Sequence, residues 1–250
     1  MKWFKRRKEH RGEATGVIGP DEDELAYWNT EAGADPAGGT ATSADEAGPQ
    51  GPWDIADAPE DAELIDLGAV HVPKRPGLQV RMELDKKTRR VVAVNLALDG
   101  SSLQVQAFAA PRSEGLWEEL RTEIAESIRK QGGSAEERTG TFGTELLARL
   151  PVRMPDGRSG TRPARFLGVD GPRWFLRGVL TGKATVEEQA AEVMESIFAG
   201  VVVDRGSEPR PPRELLTLRV PGQPAAPQAP TQQRPTIQVP RRGPEITEVR

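Results

Sequence analysis

The chain contains no cysteine, and that absence removes several chemistries at once. Disulfides, thiolate nucleophiles, Cys-ligated zinc sites and Cys-held iron–sulfur clusters are all excluded. Histidine and tyrosine are nearly as scarce: His10, His71 and Tyr27 are the whole supply. His10 and Tyr27 sit in the N-terminal fifth, so a His-centred proton relay in the folded part would rest on His71 alone. Paired carboxylates stay available for acid–base work, but the inventory leans against hydrolase and redox chemistry. No Walker loop, no G-x-G-x-x-G and no acidic metal cluster occurs, so neither metal nor cofactor is expected. No apolar run approaches the ~20 residues that span a bilayer. The basic N-terminus lacks the apolar stretch of a secretory signal, and the expected compartment is the cytoplasm.

What is present divides the 250 residues into three. Lys2 to Arg11 hold six Lys or Arg against one Glu, and Gly12 to Gln50 hold nine acidic residues with no Lys or Arg. Such a stretch cannot bury enough apolar surface to offset chain entropy, so 1–50 is expected to be a disordered tail. Its charges read as solvated; the sharper alternative is weak membrane-surface or nucleic-acid contact through Trp3, Phe4, Lys5, Arg6, Arg7 and Lys8. Beyond residue 221 the chain turns Pro- and Gln-rich. Pro221, Pro224, Pro227 and Pro230 stand three apart, which fits polyproline ligand material and, more simply, a stiff disordered tail over 222–250. A single globular domain is expected over 51–221.

Inside that domain the periodicities are those of strands and two helices. Leu78, Val80, Met82 and Leu84 alternate with polar residues, as do Val92, Val94, Leu96 and Leu98. Asp99-Gly100 predicts a tight turn into a third strand carrying Leu103, Val105 and Ala107. Ser113 reads as the N-cap of a helix with Leu116, Leu120, Ile124 and Ile128 on one face, stopped at Gly132-Gly133. Strands are expected over 145–150, 164–169 and 173–180. A second helix is expected from the capping box Thr185-Val-Glu-Glu188, burying Val186, Ala190, Val193 and Ile197 with Phe198 alongside. Val201–Val203 closes the pattern. The expected fold is α+β: an antiparallel sheet with two main helices packed on one face, arranged as two related strand–strand–strand–helix halves.

Residues 165–177, Arg-Phe-Leu-Gly-Val-Asp-Gly-Pro-Arg-Trp-Phe-Leu-Arg, carry the densest information. Asp170-Gly171 predicts a two-residue hairpin loop. One strand face then holds Leu167, Val169, Trp174 and Leu176; the other holds Phe166, Gly168, Arg173, Phe175 and Arg177. Arginines interleaved with aromatics suit an anionic ligand or single-stranded nucleic acid, and Gly168 leaves room for its close approach. The plainer reading is that a helix covers this face and its glutamates pair with the arginines. Phe108–Trp117 joins strand to helix and adds Arg112 as a second anion contact. The ligand-binding candidates are therefore Arg173, Arg177, Phe175, Phe166 and Arg112.

Five segments in this order carry a family resemblance. They are Gly51-Pro-Trp-Asp54, Ile65-Asp-Leu-Gly68, Phe108-Ala-Ala-Pro-Arg112, Gly143-Thr-Glu-Leu146 and the 165–177 run. Together they resemble the uncharacterised bacterial domain-of-unknown-function family numbered 3710, across about 51–221. The resemblance implies domain limits and no activity, cofactor or catalytic residue.

The leading functional expectation is a non-catalytic binding or adaptor domain with a protein partner. One alternative is an enzyme acting on a phosphorylated or nucleotide-like small molecule, with Asp170 or Glu145 as base. Another is weak nucleic-acid binding. Against the last stand 24 Lys and Arg facing 26 Asp and Glu over 51–221, where nucleic-acid modules show a basic excess.

Overall fold

The computed structural model describes residues 51–88, 90–112, 115–153 and 158–221. The expected tails, 1–50 and 222–250, and the Ser113 cap lie outside the described residues. Two strand meanders build the main sheet. The first is β4 (Gln79–Leu84), β5 (Val91–Leu98) and β6 (Ser101–Ala109). The second is β7 (Ser134–Gly140), β8 (Gly143–Arg153), β9 (Ser159–Gly171) and β10 (Trp174–Gly182). They meet through their last strands, giving a seven-stranded antiparallel sheet in the order β4-β5-β6-β10-β9-β8-β7. A smaller sheet joins β1 (Trp53–Asp54), β2 (Leu64–Asp66), β3 (Val70–Pro73) and β11 (Val202–Val203) in the order β1-β11-β3-β2.

The two Asp-Gly pairs behave differently. Asp99 and Gly100 both have positive φ, 48° and 83°, as a type I′ turn requires. At 170–171 the expected loop is corrected: Gly171 still pairs with Trp174, and the loop is Pro172-Arg173. Proline at the first loop position and a φ of 63° at Arg173 follow the type II pattern. The loop therefore sits two residues further along than expected, and each strand residue's partner shifts by four. An even shift keeps every side chain on its face, so the two faces read from the sequence persist.

The helices correct a second expectation. α1 (Trp117–Lys130) and α2 (Glu188–Ala199) lie on opposite faces of the main sheet, not on one. Leu167, Trp174, Leu176 and Leu180 pack with Met194, Ile197 and Phe198 of α2 and with Val70, Val72 and Val203 of the small sheet. Phe166, Phe175 and Val179, on the alternate positions, pack with Trp117, Ile124 and Ile128 of α1. Period-two alternation along β9 and β10 thus feeds two separate cores. Strand patterning shows that both faces are apolar but not which helix takes which.

Two local details of α2 also differ from expectation. Lys183–Thr185 forms a 3-10 turn, and the Thr185 hydroxyl donates to the Gly182 carbonyl at 2.8 Å instead of capping the helix. Val186 is 76% exposed, and the buried stripe is Met194, Ile197 and Phe198. β7 escaped the sequence reading because, of its seven residues, only Ala135 is buried. No helix among the described residues is long and apolar enough to cross a membrane.

Candidate functional site

Local folding decides where each candidate residue ends up. Asp170, placed on β9 by the shifted register, accepts hydrogen bonds from the backbone N–H of Leu116 (2.7 Å) and Trp117 (3.2 Å). It caps α1 from 54 positions away in the chain. That cap aims Trp117 into the sheet, where its indole N–H donates to the Thr144 carbonyl at 2.6 Å. The ring stacks on Phe175 with centroids 5.9 Å apart. A Cβ on Gly168 would come within 2.2 Å of this indole, so the glycine makes room for the helix and not for a ligand. Phe166 and Phe175 are buried beneath α1.

The arginines part company. Arg173 occupies the hairpin tip, half-buried, and its carbonyl accepts from the Ala110 N–H at 2.9 Å. This bond brings Arg112, exposed just after β6, to the same end of the sheet. Residues 205–210 run past that end. The guanidinium of Arg205 is held below its ordinary pKa by burial and then by the charges of Arg173, Arg210 and Arg112. Four cations therefore share one corner. Arg210 is balanced by Glu214 at 2.9 Å, and Arg205 donates to the carbonyls of Gly206 and Glu208. Among the described residues, Arg112 and Arg173 have no carboxylate partner. Arg205 and Arg210 went unnoticed in the sequence, because their segment has no periodicity to place it. The β11 exit beside β1, with the Asp54 carboxylate accepting from the Trp174 indole at 2.7 Å, is what brings them in.

Arg177 lies on the interior part of the same strand face, 6% exposed. It is not paired with a helix glutamate. It donates to the Gln106 side-chain carbonyl directly across on β6 and lies over the Phe108 ring at 5.7 Å. Burial pushes its pKa down to about 10 despite the attraction of Glu83. The arrangement splits the expected ligand face: two aromatics go under α1, one arginine to a buried polar seam, and Arg173 with Arg112 to the surface.

The remaining chemistry is already engaged. Glu145, 2% exposed, accepts from Arg138 at 2.7 Å and from Arg165 at 2.8 Å. Arg165 also bonds Glu195 of α2 at 2.6 Å. Both carboxylates named as bases are thus engaged, Asp170 by the α1 N-terminus and Glu145 by two arginines. No three His, Asp or Glu residues among those described are grouped to hold a metal ion.

Comparison with known proteins adds a family. No curated protein matches the chain. Among solved structures it is similar to the solution structure of cyanobacterial PsbP (CyanoP) from Synechocystis sp. PCC 6803. That match is 12% identical, with a TM-score of 0.33, over 66% of this chain and 98% of the other. A family model described as "Protein of unknown function (DUF3710)" matches residues 51–227. The chain belongs to that family.

Proposed function

We propose that the chain is a non-catalytic binding module of the cytoplasm, which docks an acidic protein partner through Arg112, Arg173, Arg205 and Arg210. One observation supports this most: the charges of Arg112, Arg173 and Arg210 all bear on the Arg205 guanidinium, while among the described residues Arg112 and Arg173 lack carboxylate partners. Like charges held together disfavour the compact state unless an anion is brought to them. The left-handed backbone at Arg173 fixes the direction of one of these forks, and arginine forks match carboxylates in bidentate geometry. With the same standing, we propose that β4–β6 with α1 and β7–β10 with α2 are related halves. Each is a meander followed by a helix.

The test is a fluorescence titration of the full chain with a twelve-residue Glu-Asp peptide. Wild type should bind saturably, and more weakly as salt rises. Arg112→Ser combined with Arg173→Asn should weaken binding at least tenfold with unchanged melting, since Asn tolerates the positive φ. Equal binding by the double variant would refute the corner as a docking surface. Saturation by inorganic phosphate at these arginines, without peptide binding, would replace the protein partner with a phosphorylated ligand.

A further inference from the structure

The α1 side of the main sheet has two unlike halves. The apolar cluster beneath α1 draws on β7 to β10 and the end of β6, and takes no residue from β4 or β5. Over β4, β5, β6 and β10 the same face is polar instead. Ser102, Gln104, Gln106, Arg177 and Thr181 are all buried there, with Asn95 and Glu83 half-buried beside them. The opposite face of the same strands carries Leu96, Leu103, Val105 and Leu176. The polar row is thus confined to one side.

Some of the row is internally satisfied. The Gln104 amide N–H donates to Glu83 at 2.6 Å, the Ser102 hydroxyl to Asn95 at 2.8 Å, and the Gln106 amide N–H to the Val92 carbonyl at 3.1 Å. Two groups are left over. Among the described residues, the Arg177 Nε–H has no acceptor and the Gln104 side-chain carbonyl has no donor. No carboxylate among the described residues is within ion-pairing distance of Arg177. A buried cation with no carboxylate in direct contact, attracted only by the more distant charge of Glu83, and a buried acceptor without a donor are each costly to keep. Both are met by one molecule that brings an anion and a hydroxyl.

We infer that this seam is a binding site for a small oxyanion bearing hydroxyl groups, with Arg177 holding the anion and Gln104 accepting from a hydroxyl. Arg177 pairs with Gln106 across β10 and β6, and Gln104 lies two residues further along. Diagonal neighbours in an antiparallel pair are roughly 7–8 Å apart. That spacing suits a three-carbon polyol with one terminal anion. The half-buried Glu83 and Asn95 and the exposed Gln79 and Arg81 on β4 make the outer border, from which such a molecule enters. This inference stands apart from the surface corner, whose arginines lie beyond the other end of β10.

The test is nuclear magnetic resonance of arginine side chains in the full chain. The Arg177 Nε–H signal is followed during titration with glycerol 3-phosphate, glycerate and inorganic phosphate. A saturable shift is expected, at least fivefold tighter for a hydroxylated anion than for inorganic phosphate. Whichever of glycerol 3-phosphate and glycerate binds tighter names the anion. Arg177→Met should abolish binding by calorimetry, and Gln104→Leu should remove the advantage of the hydroxyl. Arg112→Ser with Arg173→Asn should leave the response intact, which separates the seam from the corner. No shift at Arg177 up to tens of millimolar, or unchanged binding by Arg177→Met, would overturn the inference. The wild-type signal decides even if a variant fails to fold.

Discussion

Two arginines are buried on opposite faces of the same sheet, Arg165 toward α2 and Arg177 toward α1. Each is about 6% exposed, and each leaves its Nε–H without a partner among the described residues. What separates them is charge. Arg165 lies between Glu145 and Glu195 at 2.8 and 2.6 Å. Burial pulls its pKa down, but those hydrogen bonds and charges outweigh it and hold it above the ordinary value. Arg177 has an amide and an aromatic ring, and burial wins. Arg165 ties β8 and β9 to α2 and so serves the fold. Arg177 joins β10 to β6 through Gln106 and makes no such ion pair, which is why the proposed seam gives it an anion to hold.

The largest expected effect falls on the compensated side. Arg165→Met strands Glu145 with only Arg138 and Glu195 with only the Thr141 hydroxyl. Losing one partner of a buried pair costs about 3–5 kcal/mol, which urea denaturation would register as a lower midpoint. Gly168→Ala probes the covered half of the α1 face. Its methyl meets a Trp117 ring already fixed by Phe175 and Thr144, and overpacking of this kind costs about 1–3 kcal/mol. Thermal melting should fall accordingly, and a melt equal to wild type would show that α1 does not sit as described.

Asp170→Ala removes the acceptor for two N–H groups at the start of α1, a loss of about 1 kcal/mol as for other N-caps. Hydrogen exchange should rise first at Leu116 and Trp117. The smallest effect concerns pH. The pKa of Arg177 is lower in the folded chain, pushed down by burial to about 10 from the ordinary arginine value. The unfolded state therefore binds more protons above pH 10, and this group adds stability as pH rises. The penalty is full below about pH 9 and falls by ~0.8 kcal/mol by pH 10.5. Relative to Arg177→Met, wild type should gain that amount between pH 9 and 10.5.

Much of this was legible in the chain, and the exceptions are instructive. Alternation placed Leu167, Val169, Trp174 and Leu176 on one face correctly, because a four-residue shift in pairing is even and leaves faces unchanged. The turn itself was misplaced. Asp99-Gly100 has no competitor, whereas Asp170-Gly171 is followed by a proline that sets the next φ and moves the loop onto Pro172-Arg173. Freed from the turn, Asp170 caps a helix that a local reading had assigned to Ser113. Gly168 was read as room for a ligand; the room belongs to Trp117. Capping and packing across 54 residues have no local signature. Neither has the arginine corner, since Arg205 and Arg210 belong to a segment positioned by β11 and not by its own pattern.

The contrast between the two arginines is tested most directly by measuring Arg165→Met and Arg177→Met side by side in urea at pH 7. Removing Arg177 relieves a buried unpaired charge and gives up its hydrogen bond to Gln106, so its stability should be unchanged within about 1 kcal/mol or raised. Arg165→Met should lose several times that amount. Comparable losses in both variants would contradict the account, because Arg177 would then be a structural residue like Arg165.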